Sequence, residues 1–442
     1  MPHTPEIAKI AVATLGCKVN QCDSASLIGQ FQEAGFTIVP FTTFADVYVI
    51  NTCTVTGFSD FQARQLIRRA LRANPQAKIA VTGCYAQTQP EALASVKGVS
   101  CVIGNDQKHR IAELLQSPPS DGQKIFVDDI FSQDFFLAAP PPRLSSRTRA
   151  FFKIQDGCNA FCSYCIVPFA RGKSRSLPVV ETLTGARRFA QNGYREVVLT
   201  GIHLGQYGCD LHPKTTLVSV LEQILLQNPE VRIRLSSIEP HEISEDLLRL
   251  FLKYPNLCRH LHIPLQSGDD TILKRMKRAY NTDDYRSLIQ KIVASIADIA
   301  IGIDVMTGFP SETDTHFRNT LSLLNDLPVA YLHVFPYSER PGTAALDIHP
   351  KVPDKIKKER AALLRSLSCR KREAFARQYL GKILSVLVEN AKDKKTGRLK
   401  GFSSNYLPVI LDKSIHSLVN TVVNVRIDDY IDGKLTGEVI HG

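Results

Sequence analysis

Short apolar segments alternate with longer amphipathic ones along most of the chain, and this alternation constrains the fold more than any other feature. In the first third, "KIAVATLGC", "DVYVINTC", "KIAVTGC" and "VSCVIG" read as strands. Between them, "DSASLIGQFQEAG", with a helix start near Asp23, and the basic "FQARQLIRRALRA" carry apolar residues at helical spacing. Strands apolar on both faces and separated by helices predict a buried parallel sheet in an α/β domain. The middle of the chain repeats the unit six times, with strands "FFKI", "EVVLTG", "RIRLSS", "HLHIPLQ", "IAIGIDVMTG" and "YLHVFPY". Helical patterns such as "LVSVLEQILLQ" separate them, which predicts a partial (β/α)6 TIM-like barrel. The active site of such a barrel lies at the carboxyl ends of its strands. Thr200, Gly201, Ser236, Ser237, Gln266, Asp304 and Gly308 fall there.

The remaining segments punctuate this pattern. "SPPSDG" at 117–122 reads as a loop and "LAAPPPRLSSR" at 137–147 as a linker, since consecutive prolines suit neither a helix nor a central strand. After a basic helical stretch the tail changes character. "ILSVLVENA", "LKGFSSNYLPVIL", "NTVVNVRIDDYID" and "KLTGEVI" predict a small β-barrel of oligonucleotide-binding type. Three domains are therefore expected, at residues 1–136, 144–374 and 376–442. A chain of 442 residues exceeds one ordinary core, which agrees.

Charge points to a polyanion. The net charge is +11, and residues 351–400 hold 16 Lys and Arg against 5 Asp and Glu. The N-terminus does not read as a signal peptide, and the most apolar window, "KIVASIADIAIGIDVMTGF", is broken by Asp298 and Asp304. A cytoplasmic protein with no membrane segment is expected, and its eleven cysteines then read as thiols or metal ligands rather than disulfides.

The cysteines fall into two sets. Cys158, Cys162 and Cys165, in "GCNAFCSYC", follow the first barrel strand at C-x3-C-x2-C spacing. Zinc wants four ligands, usually two CxxC pairs or added histidine, and this loop has neither. Soft thiolates suit an iron–sulfur cubane, and three of them leave one iron open. Cys17, Cys53 and Cys84 end "TLGC", "NTC" and "TGC". Carboxyl ends of parallel strands line one edge of a sheet, so these residues are expected to converge on a second cluster. Cys22, five residues past Cys17, is a rival ligand but reads as a helix-start residue, since one cysteine per strand end fits the pattern; Cys101, Cys209, Cys258 and Cys369 read as isolated core or surface thiols.

The triple-cysteine loop resembles the signature of the radical S-adenosylmethionine superfamily. The resemblance implies that the open iron chelates S-adenosylmethionine, whose reductive cleavage yields a 5′-deoxyadenosyl radical. It places Tyr164 against the adenine and puts Thr200 and Gly201 where relatives often carry Gly-Gly-Glu; the acidic residue is absent here. Ser237, Glu239 and Gln266 are further candidate contacts. With "TLGCKVNQ", "TGCYAQ", "CSYCIVPFARGKSRS", "HIPLQSG", "DVMTGFPSETD" and "FPYSERPGT", nearly the whole chain resembles the methylthiotransferases. "GCKVNQ" and "GIHLGQYG" resemble the branch acting on N6-threonylcarbamoyladenosine in tRNA. This second resemblance implies two [4Fe–4S] clusters, S-adenosylmethionine, a tRNA anticodon stem-loop as substrate, and an electron donor such as a flavodoxin or ferredoxin. The tail then corresponds to a TRAM domain, with Phe402 and Tyr406 as residues that stack bases. A monomer is expected. The competing readings are the isopentenyladenosine branch, a ribosomal-protein aspartate methylthiotransferase, and an iron–sulfur RNA-binding regulator without turnover. No acid–base catalytic constellation stands out. His203, His241, His260, His262 and His333 lie near strand ends as polar structural residues, with proton transfer as the alternative.

Overall fold

The computed structural model describes residues 8–116, 124–133, 136–138, 148–412 and 416–440. The expected loop at 117–122, and the proline-rich linker from 139 on, lie outside the described residues. The chain packs as two compact units. The first comprises residues 1–140, 153–177 and 338–346, and the second residues 141–152, 178–337 and 347–442.

The first unit is built on six strands: β1 (Lys9–Thr14), β2 (Thr37–Val39), β3 (Val47–Thr52), β4 (Lys78–Gly83), β5 (Cys101–Ile103) and β6 (Ile125–Phe126). Their order is β2-β1-β3-β4-β5-β6, and every neighbouring pair is parallel. The sheet expected from sequence is its interior. The two added strands, β2 and β6, are edges of three and two residues, both short and only partly buried.

Alternate residues of β3 explain why the sheet is covered twice. Tyr48 and Ile50 pack with Ala63, Ile67 and Ala70 of α2 (Gly57–Ala73). Val47 and Val49 pack with Leu27 and Phe31 of α1 (Lys18–Glu33). Helix α1 starts before the expected Asp23, because Cys17 takes the N-cap position with extended backbone. Asp23 is instead an interior helix residue, fully buried, and Cys22 lies buried beside it rather than at the helix start.

The second unit holds the partial barrel: β7 (Arg149–Lys153), then, after the short pair β8 (Gln155–Asp156) and β9 (Arg175–Ser176) of the first unit, β10 (Glu196–Thr200), β11 (Arg232–Leu235), β12 (His260–His262), β13 (Ala300–Thr307) and β14 (Tyr331–Pro336). Two three-stranded sheets, β11-β10-β7 and β12-β13-β14, are joined by single bridges between Ile233 and Leu257 and between Ser237 and His262. The result is the expected arc of six strands.

Beyond a helix at Asp354–Arg377 comes a closed five-stranded barrel: β15 (Ile383–Lys392), β16 (Leu399–Ser403), β17 (Pro408–Leu411), β18 (Val422–Ile431) and β19 (Lys434–Ile440), ordered β15-β16-β17-β19-β18. Val386, Val388, Val409, Leu411, Val425 and Ile427 fill it from alternate strand positions.

Three arginines tie this small barrel to the larger one within the second unit. Arg234, fully buried, pairs with Glu196 at 2.7 Å and donates to the carbonyls of Ser403 and Ser404 at 3.2 and 2.9 Å. Arg232 donates to the Ser385 hydroxyl at 2.5 Å, and Arg149 pairs with Glu389 at 3.0 Å. Phe402 and Tyr406, expected to stack bases, are part of the same joint. Their rings stack on each other 5.1 Å apart, with the Arg149 guanidinium over Phe402 at 4.4 Å and Arg234 over Tyr406 at 4.9 Å. Both are half-buried, and cation–π packing inside the protein occupies the faces a base would need.

Truncating Arg234 would remove the guanidinium that hydrogen-bonds the buried Glu196, leaving only the more distant Arg149 and Arg232 to offset its charge. Arg234→Ala is expected to lower stability by about 3–5 kcal/mol, measured by urea unfolding, whereas Arg398→Ala, on an exposed ion pair, should change it by less than about 1 kcal/mol.

Candidate metal centre

Strand order brings the N-terminal cysteines together. Cys17 follows β1, Cys53 follows β3 and Cys84 follows β4, and these three strands are consecutive in the sheet. The chain steps from β1 outward to β2, then back across to β3. The carboxyl ends of β1 and β3 are thus the point where the winding reverses, the usual crevice for a ligand in such sheets. Neighbouring strands lie about 4.8 Å apart, so three adjacent ends fit one small group.

The turns before the cysteines require glycine. Gly16 has φ +95°, and a Cβ there would lie 2.6 Å from the Cys53 Cβ and 2.9 Å from its Sγ. Gly83 has φ +97°, and a Cβ would fall 2.3 Å from the Thr52 carbonyl oxygen. A side chain at position 16 would press on the Cys53 thiol, and one at position 83 would collide with the backbone of β3.

The thiols interact. Burial, then the neighbouring Cys84 and Cys17, push the Cys53 thiol up to about 12. Cys17 reaches solvent, yet the protein around it still raises its thiol, against the pull of Arg171. Thiols held up by burial ionise when a metal binds them, because coordination replaces the missing solvation. Asn105 aims its Nδ2 at the Cys84 sulfur from 3.9 Å.

The second triad lies in the same unit. β8 and β9 pair antiparallel, Gln155 with Ser176 and Asp156 with Arg175, and close the base of the loop carrying Cys158, Cys162 and Cys165. Cys158 donates its N–H to the Gly172 carbonyl at 3.0 Å, and Cys165 donates to the Cys162 carbonyl at 2.9 Å. The Ala160 N–H donates to the Cys158 sulfur at 3.4 Å. All three cysteines are half-buried, as is Tyr164 between them. Three thiols on a folded loop, one of them already accepting a backbone N–H, fit a cluster held by soft ligands.

A buried ion network joins the two cysteine-bearing segments. Asp23 of α1 accepts from Lys108 at 2.9 Å, Lys153 at 2.6 Å and Arg171 at 2.9 Å. Asp156 accepts from Lys153 at 2.9 Å and Arg171 at 3.0 Å. Arg171 also donates to the Asn20 side chain, and Asn105 donates to the Ala170 carbonyl at 2.6 Å. Burial alone would raise both carboxyls. Arg171 and the lysines overcome it and hold Asp23 and Asp156 well below the usual carboxylate range. The guanidinium of Arg171 acts on Cys17 and Cys84 as well, so a positive charge stands beside the first triad. Apolar periodicity and cysteine spacing do not single out these residues. Their signal in the sequence is Lys153 inside the apolar "FFKI" and the charged "NQCDS" and "FARGKS" flanking the cysteines.

The other expected contacts belong to the second unit. Thr200 is buried at the end of β10, and Gly201 follows it. Ser237 is exposed and bridges to His262. The Glu239 carboxylate accepts from Arg278, so a cofactor would have to share it. Gln266, at φ +69°, is buried with its Oε1 lacking a partner among the described residues, which leaves an acceptor for a ligand. The histidines are largely paired: His203 with Glu242 at 2.8 Å, His262 with Asp304 at 2.9 Å, and His260 with the Tyr331 hydroxyl at 2.8 Å.

Because Asp23 and Asp156 are held below their ordinary range, they contribute stability that is fully present above about pH 4 and lost as pH falls further. The thermal midpoint of metal-free protein is expected to hold from pH 7 to about pH 4 and to drop as the pH is lowered further. Asp23→Asn should start about 3–5 kcal/mol less stable at pH 7 and decline less steeply on acidification; parallel curves would contradict the assignment.

Comparison with known proteins places these features. Residues 9–104 match "Uncharacterized protein family UPF0004", and residues 152–324 match the radical SAM superfamily. The chain is 37% identical to threonylcarbamoyladenosine tRNA methylthiotransferase MtaB of Bacillus subtilis, over 95% of this chain and 94% of that one. It is 40% identical to the protein of the same name in Aquifex aeolicus, over 86% and 92%. It is 32% identical to tRNA-2-methylthio-N(6)-dimethylallyladenosine synthase of Clostridium tetani, over 97% and 96%. Among solved structures, the radical S-adenosylmethionine methyltransferase TsrM of Kitasatospora setae superposes with a TM-score of 0.54 at 14% identity, over 75% of each chain, a likeness of fold alone. No helix among the described residues is long and apolar enough to cross a membrane.

Proposed function

The chain belongs to the radical S-adenosylmethionine methylthiotransferase family, and from that premise we propose how its own residues divide the work. The reaction is 2-methylthiolation of N6-threonylcarbamoyladenosine in tRNA, the activity named for relatives matching nearly the full length of the chain. The observation that carries the assignment of residues is the pair of cysteine triads, one at adjacent strand ends and one on a closed loop.

The adenine C2–H bond is neither acidic nor polarised, so proton transfer between side chains of matched pKa cannot open it. An iron–sulfur cluster with S-adenosylmethionine bound supplies a carbon radical that can. Cys158, Cys162 and Cys165 are the ligands of that cluster, with Tyr164, Thr200, Gly201, Ser237, Glu239 and Gln266 as contacts to S-adenosylmethionine. The free Oε1 of Gln266 is the most distinctive of these, being buried with an acceptor to offer. Cys17, Cys53 and Cys84 are the ligands of a second cluster, the source of sulfur. Arg171 and the Asn105 amide offset negative charge at this triad. The mapping of three domains onto residues 1–136, 144–374 and 376–442 belongs to the same reading. So do a cytoplasmic location, a monomeric state and a small electron-carrier protein as reductant. The small barrel and the preceding basic helix would hold tRNA through phosphate contacts, since Phe402 and Tyr406 are engaged internally.

Cys17→Ala is expected to abolish methylthiolation while reductive cleavage of S-adenosylmethionine persists, and Cys158→Ala to abolish both. Mass spectrometry of tRNA nucleosides from a strain lacking the gene should show loss of the 2-methylthio derivative of N6-threonylcarbamoyladenosine. An intact level of that nucleoside, with loss of the isopentenyl counterpart instead, would overturn the substrate assignment.

A further inference from the structure

Helix α2 begins four residues after Cys53 and presents a surface that the cysteine chemistry does not require. One face, Ala63, Ile67 and Ala70, is buried against the sheet. The opposite face carries Phe58, Phe61, Arg64, Arg68, Arg69 and Arg72, all exposed. At 100° per residue these six side chains fall within one arc of about 140°. Phe58 and Phe61 are 66% and 49% exposed, with ring centroids 6.3 Å apart, and Val55 beside them is 52% exposed. Exposed aromatics grouped on one helix turn mark a contact surface more often than a structural one.

The charge on this face is of one sign. The only acidic residue of α2, Asp60, is not part of it; Asp60 accepts from Arg340 at 2.5 Å and from the Thr54 hydroxyl at 2.9 Å. Ser338 meets the same turn, accepting from the Gly57 N–H at 3.0 Å. Four arginines are thus presented along the helix; Arg64 reaches the Tyr85 hydroxyl at 3.0 Å and feels Asp60 one turn earlier, and Arg68, Arg69 and Arg72 carry the charge further along. Arg64, Arg68 and Arg72 recur every four residues, about 6 Å apart along the axis. The Cys53 sulfur lies against Ser59, the residue next to Phe58. The aromatic end of the face therefore adjoins the first triad and the cationic end leads away from it.

We infer that this face of α2 binds the substrate RNA, the phenylalanines stacking on unpaired bases beside the target adenosine and the arginines contacting phosphates of the adjoining stem. The inference rests on tRNA being the substrate and adds the surface that delivers the base to Cys53. A cationic row answers a polyanion, and an exposed ring pair answers unstacked bases, which together select single-stranded RNA next to a helix rather than an apolar protein partner.

The test uses the full chain with both clusters reconstituted and a modified anticodon stem-loop as ligand. Arg68→Gln/Arg69→Gln/Arg72→Gln should lower affinity at least about tenfold and flatten the dependence of log K on log salt by about two. Phe58→Ser/Phe61→Ser should lower affinity about tenfold with the salt slope unchanged. Iron content and RNA-independent cleavage of S-adenosylmethionine should match the parent in both. Photocrosslinking from Phe61→p-benzoylphenylalanine should map to the anticodon loop. Parental affinity and slope in both variants, or crosslinks only to protein, would overturn the inference while leaving the substrate reading intact. A parent protein that does not bind the stem-loop would overturn the substrate reading, and this inference with it.

Discussion

Asp23 is enclosed in α1 and accepts from two lysines and an arginine, and Arg171 and Lys153 pass on to Asp156. Removing five charged groups from water is costly unless each finds partners, and here each does. The network links α1, which begins at Cys17, to the segment that carries Cys158, Cys162 and Cys165. It therefore fixes two cysteine-bearing elements that come from distant parts of the sequence. An apolar contact of equal area would hold them together but would not fix their register, because dispersion has little directional preference. Hydrogen-bonded ion pairs do.

The same network sets the electrostatics of the first triad. Its three cations outnumber its two carboxylates, and two of them reach the triad: Arg171 acts on Cys17 and Cys84, and Lys108 on Cys84. Burial raises the Cys53 and Cys17 thiols, and a metal would supply the charge that deprotonates them. In the second unit, the Arg234–Glu196 pair has a comparable structural role, fastening the small barrel through the carbonyls of Ser403 and Ser404. In both places a buried charge pair joins segments that lie far apart in the chain.

Much of the frame is legible in the sequence. The interior strands of the first sheet, the six strands of the partial barrel and the β-rich tail follow from apolar periodicity, because a strand buried on both faces leaves an unmistakable run. Edge strands β2 and β6 escape because they are both short and only partly buried, whereas the equally short β5 is an interior strand with two buried residues. The start of α1 is misplaced by sequence because Asp23 resembles a capping residue, whereas it is a buried ion-pair partner whose cations come from residues 108, 153 and 171. Phe402 and Tyr406 read as base-stacking for a similar reason: sequence shows that an aromatic is present but not which arginine lies over its face.

What the sequence alone determined is the chemistry available: two sets of three cysteines, the glycines before Cys17 and Cys84, and strands that must lie parallel. These depend on residue type and local spacing, which the chain carries with it. What only the tertiary structure decided is adjacency. The order β1-β3-β4 brings Cys17, Cys53 and Cys84 to neighbouring strand ends, and the pairing of Arg171 with Asp23 ties the second triad to the first sheet. Both are long-range, because strand order and buried charge pairing depend on which surfaces meet once the chain has collapsed, and no local pattern specifies that.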